Sequence, residues 1–236
     1  MIRASLDAVR ARVNAACLRA GRSPHAVTLI GVTKYSDATA VNEAVAAGLL
    51  NIAENRVQAA QEKFPQIKAQ GVSLVRHLIG HLQTNKVRDA LLLFDVIQSV
   101  DSPKLVDEIE KRAAAIGKVQ DILVQVDIAR EEQKFGLAEE DIDALLARLE
   151  NCPHIRTRGL MAMAPLTEDR EIIRGVFRRL RENFIRVAAR HAGSQRVVLE
   201  HLSMGMSGDY EIAIEEGSTM VRIGSAIFNS GQTGGL

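Results

Sequence analysis

One lysine and two glycine-serine turns are the residues of this chain best suited to chemistry. Lys34 ends the apolar run 27–33, and the turns lie at 203–208 and 222–225. A lysine amine can attack an aldehyde carbon to form a Schiff base, and a glycine-bearing turn offers free backbone N–H groups to a phosphate. This combination indicates an aldehyde that carries a phosphate, and pyridoxal 5′-phosphate (PLP) is such a molecule.

Each of these features also has an ordinary explanation. A lysine at the end of a strand is usually a solvated surface charge, and Gly-Ser turns mostly serve as connections. Lys34, however, follows a strand-like run without any other charge, so we expect its base in the core and its amine at the surface of a binding site. Ser207 and Ser225 add hydroxyl donors to the two turns.

The composition restricts the class of protein. The 236 residues are 47% hydrophobic, enough for a full core in one domain. A formal net charge of +1 and an aromatic content of 3% argue against nucleic-acid binding. Cys17 and Cys152 lack a CxxC partner, which argues against a disulfide framework and a zinc site. No apolar run approaches the roughly 20 residues that span a bilayer, so we expect a cytoplasmic protein.

Strand-like and helix-like patterns alternate along the whole chain. An opening helix over 1–20 precedes eight apolar β-branched runs, each followed by a helical pattern, and the clearest helices begin at Ser102-Pro103 and Asp169. Eight βα units predict a single α/β domain over 1–236, a TIM-type (β/α)8 barrel with a flexible tail at 230–236; an open doubly wound sheet is the alternative. The runs lie at 27–33, 50–53, 73–79, 95–99, 120–128, 155–160, 196–202 and 219–223.

In such a barrel, the residues that end each strand should meet at one mouth. The C-terminal ends of the strands form the active face, and barrels commonly hold a phosphate after strands 7 and 8, where both glycine-serine turns fall. The strand-end residues are Lys34, Glu54, Asn55, Gly80, His81, Ser99, Asp101, Asp127, Met161, Met163, His201, Ser203, Arg222, Gly224 and Ser225.

Six long motifs in this order resemble the pyridoxal phosphate homeostasis protein family over nearly the whole chain. The resemblance implies a fold-type III PLP barrel similar to the N-terminal domain of alanine racemase and to the barrel of ornithine decarboxylase. It also implies that PLP is bound covalently on Lys34 and is buffered or delivered without substrate turnover. The motifs are 31–34, 53–58, 77–86, 158–164, 202–207 and 217–228.

The resemblance also assigns roles to further positions. It implies that Arg222 lies beside the pyridine nitrogen and that the phosphate contacts Ser207, Gly224 and Ser225. In the same way, Asn55 and His81 are expected to line the mouth, and Met204 to pack against the cofactor. The chain has Ala53 where the family usually has glycine, and alanine is acceptable there if the backbone is extended.

Three of these positions have structural alternatives. Asn55 could cap the helix that follows it, and His81 could be a surface histidine with satisfied hydrogen bonds. Met204, like Met161, Met163 and Met206, could simply fill a gap in the core.

The chemistry separates a PLP carrier from a PLP enzyme. An arginine beside the ring nitrogen disfavours its protonation and weakens the electron sink that carbanion chemistry needs. Racemases of this barrel type use a tyrosine base from a second domain, whereas this chain holds only Tyr35 and Tyr210 and ends with the barrel. We therefore expect a monomeric PLP carrier that is not an enzyme, with apo PLP-dependent enzymes as recipients. A racemase or decarboxylase and a PLP-responsive protein-interaction module are the alternatives.

Overall fold

Parallel strands in the described residues close into a barrel. The computed structural model describes residues 1–69, 71–129 and 135–228. Its strands are β1 (Thr28–Val32), β2 (Asn51–Glu54), β3 (Val75–Leu78), β4 (Val96–Val100), β5 (Gln120–Asp127), β6 (Leu137–Ala138), β7 (Ile155–Met161), β8 (Val197–Ser203) and β9 (Met220–Ile223).

The pairing between strands settles the fold class. Neighbours pair in the order β4-β3-β2-β1-β9-β8-β7-β5, and β4 pairs with β5, so eight strands form a closed ring. Each pairing is parallel, and β1 lies between β2 and β9. The predicted (β/α)8 barrel is confirmed, and the open doubly wound sheet is excluded because its two edges would stay unpaired.

Each predicted apolar run overlaps one barrel strand, whereas β6 was not predicted. β6 is only two residues long and pairs with the end of β5 outside the ring. Two residues carry no alternation of apolar and polar side chains, so the sequence gives no signal for such a strand.

A helix follows each barrel strand, as the alternating pattern predicts. Asp169 caps the longest helix by accepting hydrogen bonds from the N–H groups of Glu171 and Ile172. The helices are α1 (Ile2–Arg19), α2 (Ala38–Ala46), α3 (Val57–Lys63), α4 (Val87–Leu93), α5 (Pro103–Ala115), α6 (Ile142–Leu149), α7 (Arg170–Arg190), α8 (Tyr210–Glu215) and α9 (Ser225–Phe228).

The opening helix α1 precedes the first strand and packs on the outside of the barrel. Its buried residues Ile2, Leu6, Val9 and Val13 recur at helical spacing, and the helix contacts α2, α8 and α9. None of the helices in the described ranges is long and apolar enough to cross a membrane. The tail predicted at 230–236 lies outside the described residues.

Two layers of apolar packing support the barrel. A large core fills the space between the strands and the helices, and a small cluster inside the ring includes Ile30, Ala53, Leu123 and Met161. Ala53 lies within β2 and its side chain packs in this inner cluster, so the strand accommodates alanine at this position.

Candidate functional site

A cavity of about 1200 Å³ opens at the C-terminal ends of the barrel strands. Almost all of the predicted site residues line it, although they are far apart in sequence. Parallel strands bring their C-terminal ends to the same face of a barrel, which explains the convergence. The predicted residues on its wall are Lys34, Asn55, His81, Ser207, Arg222, Gly224 and Ser225.

Lys34 occupies the centre of a tight turn directly after β1. The N–H of Ser36 donates to the carbonyl of Thr33 over 2.9 Å, so Lys34 and Tyr35 are the two central residues of the turn. Thr33 is fully buried, whereas Lys34 is exposed on the cavity wall. The Lys34 Nζ lies 4.9 Å from the centroid of the Tyr35 ring. Its amine is therefore accessible to a ligand that enters the cavity.

The first glycine-serine turn is held in place by Asp209. The N–H of Met206 donates to Asp209 Oδ1 over 2.5 Å, and the N–H of Asp209 donates back to the Met206 carbonyl over 3.1 Å. Burial raises the pKa of the Asp209 carboxyl, and the hydrogen bond from Met206 opposes that rise. Ser207 and Gly208 are the central residues of this turn and both line the cavity.

The second turn adjoins the first and adds further donors. The N–H of Gly224 donates to Ser207 Oγ over 3.3 Å, which links the two turns. In the described part of the chain, the N–H groups of Ser207, Gly208 and Ser225 have no hydrogen-bond acceptor. Unengaged backbone donors on one cavity wall are suited to the oxygens of a phosphate.

Arg222 is buried at the floor of the cavity, and its guanidinium is fixed by two hydrogen bonds. Nη1 donates to Ser203 Oγ over 2.7 Å, and Nη2 donates to the carbonyl of Ala162 over 3.0 Å. Burial lowers the pKa of Arg222 to about 10, and the charge of Asp209 opposes this effect. The side chain remains a cation at neutral pH and cannot change its position without breaking these bonds.

The support of Arg222 continues through the barrel interior as a chain of hydrogen bonds. Ser203 Oγ donates to Gln98 Oε1 over 2.7 Å, and Gln98 Nε2 lies 3.0 Å from His77 Nδ1. His77 Nε2 lies 3.1 Å from Asn51 Oδ1. Because the amide of Gln98 donates to Nδ1, the histidine carries its proton on Nε2 and donates to Asn51. Burial lowers the pKa of His77 to about 3, so it is neutral.

Sequence reasoning missed Gln98, His77 and Asn51 as part of the site. The available signal was the presence of polar residues on otherwise apolar strands, at positions whose side chains point into the barrel. Polar side chains in such a place need partners, and here they satisfy one another.

His81 is engaged on two sides at the cavity wall. Its Nδ1 lies 3.2 Å from Asp101 Oδ2, and its ring stacks on Phe135 with centroids 3.8 Å apart and planes 12° apart. Asp101 follows β4, as expected of a strand-end residue. Phe135 lies beyond β5 and carried no sequence signal for a role in the site.

Asn55 reaches the wall because β2 and β3 end very close together. A Cβ on Gly80 would lie 2.1 Å from the carbonyl oxygen of Asn55, so only glycine fits there. The alternative role of Asn55 as a helix cap is not observed, because Arg56 occupies the N-cap position of α3 and no side chain caps it.

The structure does not bring Met204 to the cavity. Met204 is fully buried in the outer core, while Met206 and Met163 line the cavity. The side chain of Ser203 points into the barrel towards Arg222, so the next residue points outwards to the helices. Gly205 then turns the chain with φ +95°, which ends the alternation before Met206.

The charges on the wall favour an anionic ligand. Lys34, Arg56, Lys86 and Arg222 line the cavity, and no aspartate or glutamate is among the described residues that line it. An accessible amine, backbone donors without an acceptor among the described residues, two serine hydroxyls and a fixed cation fit an aldehyde that carries a phosphate.

The chain is also similar in sequence to known proteins whose names refer to pyridoxal phosphate. Residues 4–231 match the family model described as the alanine racemase N-terminal domain. The pyridoxal phosphate homeostasis protein of Aquifex aeolicus strain VF5 is 40% identical over 223 residues, which cover 94% of this chain and 95% of that protein.

Two solved structures resemble the whole barrel. A protein from Bifidobacterium adolescentis has a TM-score of 0.90 and 34% identity, covering 96% of this chain and 94% of that chain. PipY of Synechococcus elongatus PCC7942, solved with PLP bound, has a TM-score of 0.82 and 33% identity, covering 97% of this chain and 100% of that chain.

Proposed function

This chain belongs to the pyridoxal phosphate homeostasis protein family, and we propose that it binds PLP covalently on Lys34 and buffers or delivers it. The observation that carries the proposal is the cavity itself. It presents an accessible lysine amine and three unengaged backbone N–H groups on a wall without described carboxylates.

Lys34 would supply the covalent link. Its neutral amine attacks the aldehyde carbon of PLP, a C=N bond forms, and the aldehyde oxygen leaves as water. The reverse reaction with water frees the cofactor, so the link needs no other reactant in either direction. The exposure of Lys34 on an open cavity supports such an exchange.

The two turns and Arg222 would hold the rest of the molecule. Ser207, Gly224 and Ser225 would bind the phosphate through backbone N–H groups and hydroxyls, because charge-assisted hydrogen bonds to an anion are strong. Arg222 would face the ring nitrogen. A cation there disfavours ring protonation, which suits holding PLP more than carbanion chemistry. Asn55 and His81 would complete the wall.

An amino-acid racemase or decarboxylase is the second candidate, and one observation favours it. The histidine of the pair His81–Asp101 lies on the same cavity wall as Lys34, and a histidine oriented by a carboxylate is a common general base. The relatives are named as homeostasis proteins, which supports the carrier instead. We further propose that apo PLP-dependent enzymes receive the cofactor and that the carrier acts as a monomer.

Borohydride reduction of the PLP-loaded protein tests the attachment site. The reduced link is stable, so peptide mapping by mass spectrometry should locate the pyridoxyl group on Lys34. The C=N link between PLP and a lysine should give the unreduced protein an absorbance band in the visible range. Lys34→Ala should lose both this band and the pyridoxyl label. Lys86→Ala is the matched control because Lys86 also lines the cavity, and it should keep both. A wild-type label on Lys86 or Lys104 would overturn the assignment.

A further inference from the structure

A buried ion pair lies beneath the turn that carries Lys34. Glu54 at the end of β2 is fully buried, and its Oε1 lies 2.5 Å from Lys63 Nζ at the end of α3. The same carboxylate oxygen accepts a 2.7 Å hydrogen bond from Thr33 Oγ1. Neither Glu54 nor Lys63 lines the cavity.

The ammonium of Lys63 also holds the backbone of this turn. Its Nζ donates to the Thr33 carbonyl over 2.6 Å, and that carbonyl is the acceptor of the Ser36 N–H that closes the turn around Lys34. The N–H of Thr33 donates to the Ala53 carbonyl over 2.9 Å. The N–H, the carbonyl and the hydroxyl of the residue before Lys34 are therefore all held.

Stability alone is a poor reason for this arrangement. Two charges that leave water lose several kcal/mol each in hydration, and apolar residues of similar volume often replace such a pair without loss of stability. Glu54 Oε2 also lacks a hydrogen-bond partner among the described residues. The pair instead provides direction, because its charged groups add contacts to the carbonyl and the hydroxyl of Thr33 that a packed apolar side chain could not make.

We propose that Glu54 and Lys63 are positioning residues that hold the 33–36 turn so that the Lys34 amine faces the cavity. The proposal rests on the proposed function, in which Lys34 attaches PLP. Loss of the pair should slow the attachment of PLP but leave the binding of its phosphate unchanged, because the phosphate turns follow β8 and β9.

The test separates attachment from reversible binding. Stopped-flow absorbance gives the first-order rate constant of attachment at saturating PLP. The affinity for 4-deoxypyridoxine 5-phosphate, which has no aldehyde, reports binding through the phosphate and ring alone. The variant is Glu54→Leu/Lys63→Met, which removes both charges together and so leaves no unpaired buried ion.

The matched control removes another lysine that binds backbone carbonyls. Lys118 donates to the carbonyls of Leu91 and Phe94 over 2.6 and 2.9 Å, but it lies just before β5, at the opposite end of the barrel from the cavity. Lys118→Met should keep the attachment rate constant of the wild type.

We expect the double variant to attach PLP at least about tenfold more slowly, because a misplacement of about 1 Å can cost about 100-fold in rate. Its affinity for the deoxy analogue should stay within about twofold. A wild-type rate constant, or an equal loss of rate and analogue affinity, would overturn the positioning role. Absence of a label on Lys34 in the wild type would instead overturn the proposed function.

A milder variant keeps the test decisive if the double variant does not fold. Thr33→Val conserves volume and removes only the hydroxyl, which donates to Glu54 over 2.7 Å and to the Ala53 carbonyl over 3.1 Å, and it leaves both members of the ion pair in place. It should slow attachment about threefold with unchanged analogue affinity. In that case a wild-type attachment rate in Thr33→Val would refute the role of Glu54.

Discussion

Lys34 and Arg222 occupy opposite environments within one cavity. The lysine is exposed in a turn, whereas the arginine is almost completely buried and held by Ser203 and Ala162. An exposed amine can react and exchange, while a fixed cation can only bias the charge of a neighbouring group. An exposed amine combined with a fixed cation suits a protein that carries an anionic aldehyde through a reversible covalent bond.

Residue-level reasoning from the sequence succeeded for only part of the strand-end residues. The strand-end residues that were expected at the mouth and do not line the cavity are Glu54, Ser99, Asp101, Asp127, Met161, His201 and Ser203. Lys34, Ser207 and Arg222 reach one mouth because the strands of a barrel share their direction. It failed for Met204, because the alternation of side chains places the residue after an inward-facing serine on the outer face. It also missed Phe135, which reaches the site from a connection whose path no local pattern specifies.

The proposed phosphate site in the two glycine-serine turns leads to a prediction for single residues. Pyridoxal, which lacks the phosphate, should bind at least about tenfold more weakly than PLP, because each hydrogen bond to a charged group contributes roughly 1.5–3 kcal/mol. Ser207→Ala should weaken PLP binding and leave pyridoxal binding unchanged, as equilibrium absorbance titrations would show. Gln83→Ala is a suitable control because Gln83 also lines the cavity but lies after β3, outside both glycine-serine turns and the Lys34 turn. Equal affinities of the wild type for PLP and pyridoxal would show that the phosphate does not contribute to binding.

Among the secondary-structure elements, the apolar β-branched runs predicted every barrel strand of the described residues, but they did not show what fills the barrel. The interior holds the chain from Arg222 through Ser203, Gln98 and His77 to Asn51. Its partners come from β9, β8, β4, β3 and β2, so no local sequence window contains two neighbours of the chain. Such a network depends on strand register, which sequence patterns specify only after the fold is known.

This buried chain makes the stability of the barrel depend on pH. The pKa of His77 is about 3 in the folded protein, below the ordinary value of 6.5, because burial disfavours the charged form. The unfolded chain therefore gains a proton as the pH falls below 6.5, and the folded protein does not until about pH 3. The contribution of neutral His77 to the free energy of unfolding is therefore complete above pH 6.5 and is lost as the pH falls towards 3.

At pH 5 the expected loss from His77 is about 2 kcal/mol, from about 1.4 kcal/mol for each unit between 6.5 and 5. Urea unfolding at pH 7.5 and pH 5 would measure it. His77→Gln keeps a donor and an acceptor but does not titrate. The free energy of unfolding of this variant should therefore fall by about 2 kcal/mol less than that of the wild type between pH 7.5 and pH 5. Burial also lowers the pKa of His201, so some acid sensitivity should remain in the variant. Identical losses for the wild type and His77→Gln would contradict the assignment.

In the molecule as a whole, the C-terminal ends of the barrel strands surround the cavity, and the order of the strands determines which side chains reach it. β1 brings the amine, β8 and β9 bring the two glycine-serine turns, and β2 and β3 bring Asn55 and His81. The repeated βα pattern was enough to predict this architecture. The ion pair Glu54–Lys63 could not be predicted, because Lys63 lies at the far end of a helix and reaches Thr33 only in the folded chain.

We propose that the protein holds PLP on Lys34 without using it as a catalyst. General acid–base catalysis typically contributes about 10²–10⁴-fold, so a correctly placed base should be easy to detect. The direct measurement is proton NMR of L-alanine in deuterated water with the PLP-loaded protein, with free PLP at the same concentration as the reference. We predict α-proton exchange no faster than with free PLP. Sustained, stereospecific exchange that disappears in Lys34→Ala would show instead that the protein is an enzyme.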